Sequence, residues 1–345
     1  MTYSTPKRRL PAEWEPVDTV LVALPHENTD WAYMLEEVLR TYGNIIKALA
    51  DHAKVIVIGP VAPDSKYYPE GTRTDRITFI EMPTNDTWTR DYGPITIAEG
   101  NACSHIDYQF NGWGLKFAAN LDNLATLRLC TKGILPYPRI NRLGFELEGG
   151  SIESDGNGFI LTTASCLLSP NRNGDLTREE IEAELKRDFG AHTIAWLYNG
   201  ELEGDDTDGH IDTLARILPP GDTIIYTGCS DPADSHFESL QAMKEELAAL
   251  RRSNGMPFNL IELPLPDAIH DPDDGTRLPA TYANFLLLNG VVIMPTYNQP
   301  LKDRHAAMAI QAALPDYEIV TVDCRALIRQ HGSLHCATMQ IPSQK

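Results

Sequence analysis

Residues 17–59 read VDTVLVALPHENTDWAYMLEEVLRTYGNIIKALADHAKVIVIG. Two short runs rich in β-branched residues, VDTVLVALP (17–25) and KVIVIG (54–59), flank DWAYMLEEVLRTYGNIIKALAD (30–51), whose apolar positions recur at helical spacing. Asp30 stands where a helix cap belongs. Strand, helix, strand is the repeating unit of an α/β protein, because parallel strands need a crossover of roughly a dozen residues or more.

The alternation continues along the chain. Strands are expected at ITFIE (77–81), FILTT (159–163), DTIIYT (222–227), FNLIELP (258–264), FLLLNGVVIMP (285–295) and EIVTVD (318–323). Within 285–295, Asn289-Gly290 reads as a hairpin turn. Helical patterns cover 177–189, 235–252 and 302–314, with weaker ones near 118–131 and 325–330. Thr177 and Glu180 form a capping box, and Gly190 supplies the stop. The element order suits five similar strand–helix units of roughly 60–70 residues, or an open doubly wound sheet; periodicity alone does not separate them. No Pro/Ser-rich linker divides the chain. Residues 1–345 are therefore expected to form one domain, the first ten or so being a loose arm.

Bulk properties narrow the function. No run of 18 apolar residues exists, so no membrane span is expected. The start, MTYSTPKRRLPAEWEP, lacks the apolar core of a secretory signal. The six cysteines (103, 130, 166, 229, 324 and 336) are scattered, without the spacing of a zinc site. They fit free thiols in a reducing cytoplasm. A net charge of −19 argues against nucleic acid or an anionic membrane as partner. It suits a cationic substrate, and equally mere solubility. A homo-oligomer is compatible with the composition.

Four polar stretches interrupt the pattern of apolar strand and polar loop. They are NDTWTRDYGPI (85–95), ELEGGSIESDGNG (146–158), GDDTDGHIDTLAR (204–216) and SLHC (333–336). Each places a carboxylate, imidazole or thiol beside glycine near a strand end, where α/β proteins build sites. Singly, each has a plain reading: a solvated aspartate, a loop histidine, a core cysteine. Pooled, they give Asp91, Glu148, His210, Asp212 and Cys336. A Cys–His pair suggests nucleophilic catalysis. Acyl transfer, however, wants oxyanion donors rather than three anions around the reacting carbon. Carboxylates suit a planar cation such as a guanidinium, which they can hold through paired hydrogen bonds. The bound cation also favours the thiolate.

WTRDYGP (88–94), FNGWGLKF (110–117), LEGGSIESDG (147–156), GDDTDGHIDTLAR (204–216) and SLHC (333–336) resemble, in this order, the motif series of agmatine deiminases. That family is related to the bacterial peptidyl-arginine deiminases within the guanidino-group-modifying superfamily. The resemblance runs from about residue 10 to the C-terminus. It implies an α/β fold in the form of a five-bladed, pseudo-symmetric propeller, with no metal and no organic cofactor. By it, Cys336 resembles the nucleophile, His210 the general acid/base, and Asp91 and Asp212 the guanidinium-binding carboxylates. Glu148 resembles the carboxylate that orients and charges the histidine, and Trp88 a pocket aromatic. The implied reaction converts agmatine and water into N-carbamoylputrescine and ammonia through a thiouronium on Cys336. The alternatives are deimination of free or peptide C-terminal arginine, and amidino transfer to an amine. The family reads T-N-G-H-x-D-N and G-G-G-N-I-H-C where this chain has TDGHIDT (207–213) and HGSLHC (331–336). The reactive groups are kept and their neighbours differ, which leaves the exact substrate open.

Lesser expectations accompany these. Alternation along a strand would turn His335 away from the site. Arg90 reads as an ion-pair partner of Asp91, Trp113 as packing, and Arg172 as part of a polar turn. The other five cysteines read as inert, and Asp205, Asp206 and Asp208 as a second cation-binding patch or a solvated loop.

Overall fold

The structure, a computed structural model, describes residues 8–343. Most of the expected N-terminal arm, residues 1–7, lies outside the described residues, as do 344 and 345. Described strands begin with the two-residue β1 (Arg8–Arg9). The first full unit is β2 (Val17–Ala23), helix α1 (Leu35–His52) and β3 (Lys54–Gly59), with β4 (Ile77–Glu81) at its far edge. Strands β2 and β3 pair in parallel, as the crossover demands, and α1 buries Val38, Tyr42, Ile45, Ile46 and Leu49. Asp30 is not the cap: α1 is entered through a 3-10 turn (Ala32–Met34) without a side-chain cap bond.

Four further units follow one plan. The second is β5 (Ile95–Glu99), β6 (Ala102–Gln109), α2 (Ala125–Thr131) and β7 (Arg139–Glu146). The third is β8 (Ile152–Ser154), β9 (Phe159–Thr163), α3 (Arg178–Phe189) and β10 (Thr193–Leu197). The fourth is β11 (Ala215–Leu218), β12 (Thr223–Gly228), α4 (Phe237–Ala249) and β13 (Asn259–Pro264). The fifth is β14 (Leu286–Leu288), β15 (Val291–Thr296), α5 (Pro300–Ala313) and β16 (Glu318–Asp323). In each, the first strand pairs antiparallel with the second, and the second pairs in parallel with the third across the helix. The expected local signals hold. Thr177 and Glu180 cap α3 reciprocally, Gly190 ends it with φ 60°, and Asn289 and Gly290 turn the β14–β15 hairpin with φ 49° and 87°.

The last strand, β17 (Met339–Pro342), pairs antiparallel with β2. It fills in the first unit the place that β5, β8, β11 and β14 fill in theirs. Five separate small sheets, each with its helix, replace the open doubly wound alternative. The chain is a five-bladed α/β propeller whose ring is closed by its C-terminus on its N-terminal strand. Radial repetition of this kind covers each small sheet with its neighbours.

Candidate active site

Every first strand is preceded by a tight turn, and these turns bring the reactive groups together. Before β5, a helical turn (Thr89–Tyr92) carries Asp91. Before β8, a 3-10 turn (Gly149–Ser151) follows Glu148. Before β11, the turn Ile211–Thr213 begins after His210 and contains Asp212. Before β17, residues 334–337 form a turn with Cys336 in it. Asn284 occupies the matching place before β14.

These turns meet across the ring. Asp91 Oδ1 accepts from Gly150 N at 3.0 Å. A Cβ on Gly150 would lie 2.6 Å from His210 Nδ1, 2.8 Å from Asp91 Oδ1 and 3.1 Å from Asp212 Oδ2. Three site groups thus converge on one missing side chain, which is why the second glycine of the Glu-Gly-Gly motif is glycine. The Cys336 thiol lies 3.7 Å from Asp212 Oδ2 and 3.2 Å from Asn284 Nδ2. The Asn284 carbonyl oxygen accepts from the backbone N–H of His335 at 2.9 Å and of Cys336 at 3.3 Å. Asn284 therefore fixes the turn that presents the thiol. Sequence reading missed it; the available signal was its place just before a first strand.

The site is buried and anionic. Burial chiefly, then Asp212 and Asp91, push the Cys336 thiol well above its ordinary range. Burial opposes a charge on His210, but Asp91, Cys166 and Glu148 outweigh it and hold the imidazole well above its usual value. Burial likewise raises the Asp91 carboxyl to about 6, against the pull of His210 and the Trp113 hydrogen bond. Asp212 is held below the ordinary range despite burial, through its bond to His335. The resting site pairs an imidazolium with a neutral thiol. Asp212 Oδ1 and both His210 ring nitrogens are buried without a hydrogen-bond partner among the described residues. His210 Nδ1 faces Asp91 Oδ1 at 3.6 Å.

Glu148 is more engaged than expected. Both of its carboxylate oxygens accept from Arg172 Nε, at 2.8 and 2.9 Å. Arg172 is a buried counter-ion reaching also to Asp208 at 2.6 Å, not part of a solvated turn. Cys166 is not merely inert packing: it, Glu148 and His210 offer ligand atoms within 4.8 Å of one another. A metal there would have to displace the Arg172 guanidinium from Glu148, so the donor set does not suit a resident ion.

Other expectations change with the geometry. Arg90 does not pair with Asp91; its guanidinium reaches Gln340 Oε1 at 2.5 Å and the His335 carbonyl at 3.4 Å. His335 is not turned away, because residues 334–337 are a turn to which strand alternation does not apply. Its Nδ1 lies 2.7 Å from Asp212 Oδ2. Trp113 does more than pack: its indole Nε1 donates to Asp91 Oδ2 at 2.9 Å. Trp88 lines the pocket that reaches Asp91 and Cys336, together with Trp113 and Phe117. Gly332 lets that indole approach, since a Cβ there would lie 2.4 Å from the Trp88 ring. Asp86 and Asp206 also stand on the pocket wall. Asp208 is instead tied to Arg172 and Lys116.

The chain matches the Porphyromonas-type peptidyl-arginine deiminase family over residues 9–342. It is 33% identical to an agmatine deiminase of Pseudomonas syringae pv. tomato, over 99% of this chain and 98% of that one. A Porphyromonas gingivalis structure solved as a candidate arginine deiminase is 46% identical, with a TM-score of 0.92 over 98% of this chain and 99% of that one. A cysteine-to-serine variant of C. jejuni agmatine deiminase with substrate bound is 38% identical, with a TM-score of 0.89 over 98% and 97%. Likeness along the whole chain, carried on the same ring, decides the matter: the chain belongs to the Porphyromonas-type peptidyl-arginine deiminases, the family of the agmatine deiminases.

Proposed function

We propose that the protein hydrolyses agmatine to N-carbamoylputrescine and ammonia, with residues 1–345 working as one catalytic domain. Asp91 and Asp212 hold the guanidinium, and Trp88, Trp113 and Phe117 flank the carbon chain. Substrate binding adds a cation beside Cys336, and the thiol releases its proton to solvent. The thiolate then attacks the guanidinium carbon. The His210 imidazolium protonates the departing nitrogen, and ammonia leaves a thiouronium on sulfur. The now neutral His210 takes a proton from water, whose oxygen bonds to the carbon. Sulfur is expelled with its electron pair and takes up the remaining hydroxyl proton, which restores the thiol, and the neutral ureido product departs. Glu148, backed by Arg172, keeps negative charge near the imidazolium.

One observation carries agmatine over arginine. The pocket wall bears a second pair of carboxylates, Asp86 and Asp206, and no Arg or Lys among the described lining residues. Lys116, on the adjoining loop, is held by Asp208 and the Asp206 carbonyl, each at 2.6 Å. A distal ammonium finds anions there, while an α-carboxylate would lack the cationic clamp it needs. The 46% identical structure solved as a candidate arginine deiminase favours the second reading, a free or C-terminal arginine. Ammonia release from agmatine, arginine and an arginine-terminated peptide, with mass spectrometry of the products, separates the two. Agmatine turnover that Cys336→Ala abolishes supports the proposal; turnover of only the arginine compounds overturns the substrate. No described helix is long and apolar enough to cross a membrane, and we place the reaction in the cytoplasm.

A further inference from the structure

Behind Asp212 runs a buried line of five ionisable groups contributed by distant parts of the chain. Asp212 Oδ2 meets His335 Nδ1 at 2.7 Å, and His335 Nε2 meets Glu13 Oε2 at 2.7 Å. Glu13 Oε2 also lies 2.7 Å from Arg216 Nη2, and Arg216 Nε donates to Glu153 at 2.9 Å. All five are nearly inaccessible to solvent. Glu13 belongs to the N-terminal segment that precedes the first blade, and no motif in the sequence marks it.

The hydrogen-bond inventory of imidazole makes the arrangement informative. A neutral ring has one N–H, yet both ring nitrogens here face carboxylate oxygens at bonding distance. Both bonds form only when the ring carries two protons and a positive charge. Along the line the charges then alternate: Glu153, Arg216, Glu13, His335, Asp212. Removing the Glu13 charge leaves the second ring proton without its carboxylate partner. His335 would then give Asp212 a neutral donor instead of a cation. Asp212, buried beside Asp91, would be left with like charge on its open side and less compensation on the other.

We propose that Glu13 is a positioning residue for the reaction, holding Asp212 through His335 as the charged anchor of the guanidinium. This rests on the guanidine-deiminase reading above. The effect is exerted on substrate binding and its pH dependence, not on the thiol attack itself. Asp212 Oδ2 stands between His335 Nδ1 at 2.7 Å and the Cys336 thiol at 3.7 Å, and Oδ1 is buried without a hydrogen-bond partner among the described residues. Support for the charge states comes from the carboxyls themselves. Burial would raise both Glu13 and Asp212, yet their cationic partners hold each below the usual range.

Two variants test this in the full-length protein. Glu13→Gln removes the distal charge, and His335→Gln keeps the Glu13–Arg216 pair while removing the bridging cation. The probe is guanidinium ion, scored by its protection of Cys336 against iodoacetamide between pH 5.5 and 9, beside kcat and KM for agmatine. The other charged groups facing His335 are Arg90, which donates to its carbonyl, and Arg216 and Glu153 beyond Glu13. All three remain in both variants, but Arg90 also lies 4.0 Å from Glu13 Oε2, so only an effect shared by Glu13→Gln and His335→Gln belongs to the line. The expected result is guanidinium protection weakened about tenfold or more in both variants, with the loss growing as pH falls. KM should rise more than kcat falls. A folded variant that binds guanidinium with the wild-type pH dependence overturns the proposal. Should Glu13→Gln fail to fold, His335→Gln decides alone. Guanidinium protection without agmatine turnover in the wild type would sink the substrate reading while still judging this one. Absence of protection in the wild type would sink both.

Discussion

The indole Nε1 of Trp113 donates to Asp91 Oδ2 at 2.9 Å. The bond depends on a left-handed coil: Gly112, Trp113 and Gly114 have φ of 73°, 55° and 80°. Two glycines adopt that conformation freely and carry the tryptophan inward. Trp113→Phe leaves the wall and removes the donor. A hydrogen bond to a charged group contributes about 1.5–3 kcal/mol, so kcat/KM for agmatine should fall roughly 10- to 100-fold. Asp91, already raised to about 6, should rise further and move the acid limb to higher pH. A pH–rate profile with an unmoved acid limb would reduce the indole to packing.

Asp86 and Asp206 should make agmatine binding pH-dependent beyond what the guanidinium requires. Burial raises Asp86 to about 7, with Asp30 and Asp206 adding to it, and Asp206 to about 6, with Asp205 adding and His331 opposing. Both groups hold their protons below those values, so the distal ammonium then meets neutral carboxyls. KM for agmatine should therefore climb as pH falls from 7.5 to 5.5. Pentylguanidine, which has no amine, should show a shallower climb. Asp206→Asn should bring the two substrates together, and parallel slopes in the wild type would refute the assignment.

Gly150→Ala tests the crowding at the ring centre. Its Cβ would meet His210, Asp91 and Asp212 at 3.1 Å or less, so something must shift. The backbone there is not in the left-handed region, so the strain falls on the site groups. Displacement of about 1 Å at reacting groups costs on the order of 100-fold. We expect kcat to fall by about that factor or more with a modest change in melting temperature. Loss of folding with no soluble protein would contradict this partition.

Asn284→Ala removes the group that clamps the turn carrying Cys336 and touches its sulfur. The buried backbone N–H of Cys336 loses its acceptor, while that of His335 keeps the Asn284 main-chain carbonyl at 3.1 Å. An orphaned donor costs about 1–3 kcal/mol. Urea unfolding should report a loss of about that size, and iodoacetamide labelling of Cys336 should change rate in the native protein. Unchanged labelling and stability would show that water replaces the side chain without consequence.

Arg172→Met should separate folding from chemistry at Glu148. Arg172 Nε serves both carboxylate oxygens in a fully buried pair. Breaking such a pair by removing one partner destabilises by about 3–5 kcal/mol, because the remaining charge stays buried. The double variant Arg172→Met/Glu148→Leu should recover much of that stability in thermal melts while remaining inactive. Recovery of activity would remove Glu148 from the mechanism.

The sequence by itself determined much of the strand–helix alternation, the α3 capping box, the Asn289-Gly290 turn and the set of polar groups that the ring brings together. Those features live in local periodicity and in side-chain chemistry, both readable within about twenty residues. Strands β5 to β8, β10 and β11 escaped; of these the first strands β5, β8 and β11 are three to five residues long and follow polar, glycine-rich turns that read as loop. Their pairing comes from the blade, not from their own pattern. Only the tertiary structure decided that the chain closes into a ring, since β17 and β2 lie at opposite ends of the sequence. The same closure chose the partners of each site group: Asn284 for Cys336, Arg172 for Glu148, Trp113 for Asp91, and Glu13 through His335 for Asp212. A buried charge or thiol takes whichever partner the fold brings within 3 to 4 Å, and separation along the chain carries no information about that distance.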